Sequence, residues 1–186
     1  MSRLPIAAPS RRLAAFALDY IWIALYLLVL AGVGSYLAFG PLAPQAAALF
    51  ASPVVSDLII LALTVLPVTL YFARQEAARG GTWGKRRLGL RVVRADGARP
   101  SFGRALLRAG VKFTPWQIAH LGVARLIRLA EPPAWALAAG ILSLVLVAGY
   151  VALLYLSPSH RTVHDLAAGT IVVQEARPGR EGNVPS

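Results

Sequence analysis

Residues 11–39 read RRLAAFALDYIWIALYLLVLAGVGSYLAF, two arginines followed by an apolar run whose one charged residue is Asp19. About 20 apolar residues suffice to cross the hydrocarbon core of a bilayer, so residues 13–39 are long enough for a first span. The run also follows a short basic leader, residues 1–12, as a secretory signal would. Its length, the internal Asp19 and the lack of a convincing cleavage site favour a retained transmembrane helix. A carboxylate inside such a span needs a partner, water or a proton, which makes Asp19 a functional candidate.

The rest of the chain agrees with a membrane setting. Among 186 residues, 57% are hydrophobic and only 15% are charged, with a mean hydropathy of +0.61. That is too apolar for an ordinary soluble domain and too short for two large ones. Residues 54–73 form a second apolar run, expected to kink at Pro67, and residues 134–156 form a third. Residues 40–53 carry no charge and contain Pro41, Pro44 and Pro53, as a short outside loop would.

The net charge of +11 would suggest nucleic acid in a soluble protein. Here eleven Lys or Arg fall between Arg74 and Lys112 against Glu76 and Asp96. That pattern is expected of a cytoplasmic loop beside anionic lipid headgroups. Only Trp83 and Phe102 interleave those charges, so a stacking surface for nucleic acid is not expected. The positive-inside rule then makes the first two spans a hairpin in the inner, cytoplasmic membrane with a cytoplasmic amino terminus.

The expected fold is an all-α integral membrane protein with three clear transmembrane helices, a basic β-like cytoplasmic loop and an interfacial or re-entrant helix. The loop, residues 74–100, has glycines at 80, 81, 84 and 89 and a strand-like run at 88–93. Residues 102–129 repeat apolar positions at helical spacing among Arg104, Arg108, Lys112, His120, Arg125 and Arg128, with a break expected near Pro115. Those charges make the segment a poor span, whereas Arg161, Arg177 and Arg180 suit a cytoplasmic tail, which requires it to cross. The balance leans toward a cytoplasmic tail, with residues 170–173 pairing against 88–93. One membrane domain, residues 13–173, and a flexible tail, 174–186, are expected.

Arg12, Asp19 and Tyr26 are spaced by seven, so they share one helical face. Helical side chains lean toward the amino end, which points Arg12 away from Asp19 and argues against a direct pair. A water or another basic residue is expected to complete Asp19. Two readings stand about level: a fixed interhelix contact for Asp19 with Arg12 snorkelling to headgroups, or a proton or cation site. Asp57 falls where a helix amino end favours negative charge. His160 and His164 make an incomplete metal site and read better as anchors of the tail, while His120 reads as interfacial. Gly84-Lys85 lacks the spacing and following hydroxyl of a phosphate-binding loop. The chain has no cysteine, and no nucleophile with a base is evident, so no enzyme, metal or cofactor is expected.

Three blocks resemble the RDD family of small bacterial membrane proteins, named for one arginine and two aspartates. They are residues 12–19 (RLAAFALD), 81–93 (GTWGKRRLGLRVV) and 161–173 (RTVHDLAAGTIVV). The resemblance implies that Arg12 is the family arginine, Asp19 the first aspartate and Asp165 the second, with His164, Lys85 and Gly84 in support. Some relatives look like cation/proton antiporters and others like accessory or scaffold modules. The expected role is a noncatalytic membrane module that organises anionic lipid, a membrane-protein partner or a second copy of itself. The alternative is a proton or cation transporter built on Asp19.

Overall fold

The first helix, α1 (Pro9–Phe39), starts earlier than the apolar run because Pro9 presets the backbone of a first turn. The computed structural model describes residues 5–175; the expected flexible tail lies outside them from residue 176 onward. Helix α2 (Ala43–Leu49) occupies the segment expected to be a loop, Pro44 opening it and alanines continuing it. The second span is compound: α3 (Pro53–Ile60), a π-helical turn (Leu61–Val65) and α4 (Leu66–Arg79). Gly80, with φ of 73°, closes it in the left-handed conformation that glycine adopts without strain. A short helix α5 (Trp83–Arg87) and strand β1 (Leu90–Arg94) follow. Then come the long helices α6 (Phe102–Arg128) and α7 (Ala134–Leu156), short α8 (Val163–Ala167) and strand β2 (Thr170–Gln174).

Three of these helical stretches, 9–39, 53–79 and 134–156, are long and apolar enough to cross a membrane. Their outward surfaces carry apolar side chains such as Leu28, Val29, Leu144 and Val145, each more than 60% exposed. Such a belt is tolerable only against lipid or another apolar surface. An aromatic and aliphatic core built around Phe72, Phe113, Val68 and Ile23 joins α1, α4 and α6.

For helix α6 the sequence left open an interfacial or re-entrant course and a crossing one. The helix packs lengthwise on both α4 and α7. Near one end Arg108 meets Glu76, in the last turns of α4. Near the other Arg125 meets Asp57, in the first turns of α3. Arg108 and Arg125 are 17 residues apart, about 26 Å of helix at ~1.5 Å per residue. That nearly matches the ~30 Å hydrocarbon core. Apart from Lys112, the charged residues of α6 lie toward its two ends, and the helix runs the length of the bundle from the Glu76 end to the Asp57 end. Helix α7 therefore returns to the end where Arg12 lies, and its last residues meet α1 there: His160 Nδ1 lies 3.2 Å from the Leu154 carbonyl, and the His160 carbonyl accepts from Arg12.

Both interior prolines are accommodated the same way. Proline has no N–H, so the carbonyl four residues earlier loses its donor. The Leu63 carbonyl, orphaned by Pro67, accepts from the Tyr26 hydroxyl of α1 at 2.5 Å. The Val111 carbonyl, orphaned by Pro115, accepts from the Tyr150 hydroxyl of α7 at 2.9 Å. Hence Pro115 sits inside a continuous helix instead of breaking it, while the expected disturbance at Pro67 takes the form of the π-helical turn.

At the Arg12 end, β1 and β2 pair antiparallel, from Leu90 against Gln174 to Arg94 against Thr170. The leader joins them: Ala7 donates to the Val172 carbonyl at 3.0 Å and Gln174 to that of Pro5 at 2.9 Å. Leader, basic loop and tail thus share one end of the bundle. The chain lacks cysteine, so single cysteines at Gly97, Glu175, Gln45 and Glu131 can be tested with a membrane-impermeant thiol reagent in intact cells. Gly97 and Glu175 should respond alike, and Gln45 and Glu131 should respond alike and oppositely to that pair.

The charge network at the bundle end

Capping places the second aspartate. Thr162 precedes α8, and its backbone N–H donates to Asp165 Oδ2 at 3.0 Å in a capping box. Arg12 Nη2 donates to the same oxygen at 2.5 Å, linking chain positions 153 residues apart. Arg12 also donates to the His160 carbonyl. Asp165 Oδ1 accepts from Arg108 Nη2 at 2.6 Å and Nε at 3.1 Å.

Arg108 continues the chain of charge. Its Nη1 lies 2.6 and 2.7 Å from the two oxygens of Glu76, and Lys85 also donates to Glu76. Glu76 and Asp165 are fully buried and Arg108 is 1% exposed. Five side chains from α1, α4, α5, α6 and α8 therefore form one connected array of three cations and two carboxylates. Arg12 is buried in it, not snorkelling to headgroups.

Asp19 does something else. Its Oδ1 accepts the Gly84 backbone N–H at 2.7 Å, and its Oδ2 accepts the Thr82 hydroxyl. It is 1% exposed. No basic residue pairs with it among the described residues; Thr82 and the first turn of α5 hold it. Gly84 permits this approach, because a Cβ there would lie 2.1 Å from the Ala15 carbonyl oxygen of α1. The glycine is required by the contact that Asp19 makes.

Electrostatics at the non-spanning members follow from burial against pairing. Burial alone would raise the Asp165 carboxyl, but the guanidinium groups of Arg108 and Arg12 hold it well below the usual carboxylate range. Burial pushes the Lys85 ammonium below its ordinary value against the pull of Glu76. Burial, reinforced by Arg108, keeps the His164 imidazole well below the usual histidine value, hence neutral.

The candidates divide accordingly. Arg12, Asp165 and Lys85 come together; Asp19 and Gly84 form a separate joint beside them. His164 Nε2 lies 2.8 Å from the Thr162 hydroxyl, while His160 turns to the end of α7. The two histidines thus anchor the tail to itself and to α7, with no shared metal position. Among the described residues no cluster of three His, Asp or Glu fit to hold a metal occurs. Asp57, expected only to favour a helix amino end, pairs with Arg125, and its Oδ1 is 2.7 Å from Nη1. His120 stays on its own helix, its Nδ1 2.9 Å from the Trp116 carbonyl. Sequence reasoning missed Glu76, Arg108 and Thr82. The available signal was that Glu76 is one of two acids among eleven basic residues.

A multi-spanning helical membrane protein closed at one end by a buried arginine–carboxylate array is thus defined. The chain belongs to the RDD family, whose model matches residues 6–169. No curated protein and no solved structure matches it.

Replacing Arg108 by Gln should cost about 3–5 kcal/mol, since it removes the guanidinium that two buried carboxylates share and leaves each with one cation. Thermal unfolding in detergent should register the loss, with exposed Arg99→Gln nearly silent. For His164 the folded state prefers the neutral ring, so its contribution is present above the unfolded value of about 6.5 and is lost as pH falls below it. Melting temperature should drop between neutral and mildly acidic pH, and the drop should shrink in His164→Asn.

Proposed function

We propose that the protein is a noncatalytic membrane module that holds a basic face toward anionic headgroups and a membrane-protein partner or second copy. The observation that carries this reading is the state of Asp19. Both its oxygens are taken by fixed donors, Gly84 N–H and the Thr82 hydroxyl. A carboxylate that carries protons or cations must exchange its occupant with water, and these donors belong to the fold. The remaining acids of the array are likewise paired. Such an array suits fixing one arrangement of helices better than cycling between two.

The same end of the bundle presents the sheet and the basic loop. The arginines of the loop, with Arg11 and Arg12 in the first turn of α1, favour the cytoplasmic side of the cell membrane for this end. Anionic lipid there attracts each nearby cation by about 1 kcal/mol. No cofactor is required by this role.

Transport through Asp19 is the competing reading, supported by a cavity that Asp19 and Lys85 both border. Reconstitution into liposomes loaded with a pH-sensitive dye separates the two. The module reading expects no cation-driven proton flux from the wild type, and Asp19→Asn to cost about 1–3 kcal/mol of stability. Wild-type flux that disappears in a still-folded Asp19→Asn variant would overturn it.

A further inference from the structure

One turn beyond Arg108 on α6 stands a cation outside the ion-pair array. Lys112 Nζ lies 4.1 Å from the ring centroids of both Phe16 and Phe72 and 5.4 Å from that of Phe113. Among the described residues no carboxylate lies within ion-pair distance of it, and its N–H groups have no hydrogen-bond acceptor. Lys112 is half-buried, and aromatic faces offset only part of the cost of drawing an ammonium partly out of water. The group still lacks an anion.

Lys112 borders a cavity of about 500 Å³, within the ~300–1,000 Å³ usual for ligand sites. Its polar lining includes Lys112, Arg12, Lys85 and Arg108, with the Asp19 carboxylate already held by Thr82 and Gly84. Much of the rest is apolar, with Ile23 of α1, Trp116 of α6, and Val147 and Val151 of α7. An excess of cations beside a largely apolar lining describes an amphiphile with an anionic head. Because α1 and α7 are spanning helices, the bilayer itself supplies such molecules.

We propose that this cavity binds one anionic phospholipid, its phosphate at Lys112 and one acyl chain along the wall between α1 and α7. The inference rests on the module reading and deepens its lipid arm: the site is internal and distinct from the basic surface formed by the loop.

Trp116 provides the probe. A full-length variant with Trp22, Trp83 and Trp135 changed to Phe retains it as the sole tryptophan. This variant is reconstituted into phosphatidylcholine vesicles containing a minor share of lipid brominated on its acyl chains, either phosphatidylglycerol or phosphatidylcholine. Quenching of Trp116 should show about fivefold enrichment of the anionic lipid, the factor equivalent to about 1 kcal/mol per cation near an anionic headgroup. Lys112→Gln should abolish that preference, and the double variant Arg91→Gln, Arg94→Gln in the loop should retain it. Filling the wall with Val147→Phe should lower quenching by both lipids, and decides the matter if Lys112→Gln does not fold. Equal quenching by the two lipids in the parent protein overturns the inference, as does undiminished quenching in Val147→Phe. A preference that survives Lys112→Gln and vanishes in the loop variant removes the internal site while leaving the basic-face reading standing.

Discussion

Two carboxylates with no access to water, Glu76 and Asp165, share a single guanidinium, that of Arg108, and the closed end of the bundle depends on this sharing. Each acid alone would be too costly to bury in its ionised form. With Arg108 between them and Arg12 and Lys85 on their outer sides, every oxygen is occupied. Buried ion pairs are often no more stabilising than well-packed apolar groups of the same volume, so net stability does not explain the arrangement. Geometry does. The array ties together α1, α4, α5, α6 and α8, elements that lie far apart along the chain, and its donors fit only one mutual placement.

The interior of the bundle meets a second constraint, that no backbone carbonyl be left without a donor in an apolar medium. Pro67 and Pro115 each create such an orphan, and each is matched by a tyrosine hydroxyl from a neighbouring helix. The bond from Tyr26 fixes α1 against the π-helical turn, and the bond from Tyr150 fixes α7 against α6. Ser143 of α7 adds a third by donating to the Pro115 carbonyl at 2.8 Å. Hydroxyls thus serve in the middle of the bundle the purpose that charges serve at its end, namely polar contacts that specify which helix faces which.

Much of this was legible from residue order. Apolar run lengths identified the three spans, and alternating apolar residues with turn glycines identified the strands, including their pairing. The seven-residue spacing put Arg12, Asp19 and Tyr26 on one face, and all three do engage neighbouring elements. What could not be read was which partner each would find. Arg108 looked like one of many basic residues flanking a membrane, because its burial depends on Glu76 and Asp165 arriving from segments 32 and 57 residues away. The course of helix α6 was left open because hydropathy averages over a helix on which Arg108 and Arg125 find Glu76 and Asp57 from other segments. Asp19 was expected to find a water or a basic residue because an intramembrane carboxylate needs a partner; a backbone N–H exposed by a glycine satisfies it as well, and composition carries no trace of that geometry.

Asp19 and Asp165 consequently hold different joints. Asp165 is an electrostatic joint: it accepts two arginines and the backbone of its own helix, and its position follows from charge. Asp19 is a steric joint: its position follows from how closely α5 can approach α1, which Gly84 alone permits. Between them, α1 is fixed twice on one face, at Arg12 by charge and two turns deeper by hydrogen bonding. A helix held at two points along its length cannot rotate about its axis or slide without breaking both. The wall that α1 contributes to the internal cavity is thereby set in place, with Phe16, which packs against the Lys112 ammonium, lying between the two fixed points. The rigidity of the closed end and the shape of the cavity beneath it have the same origin.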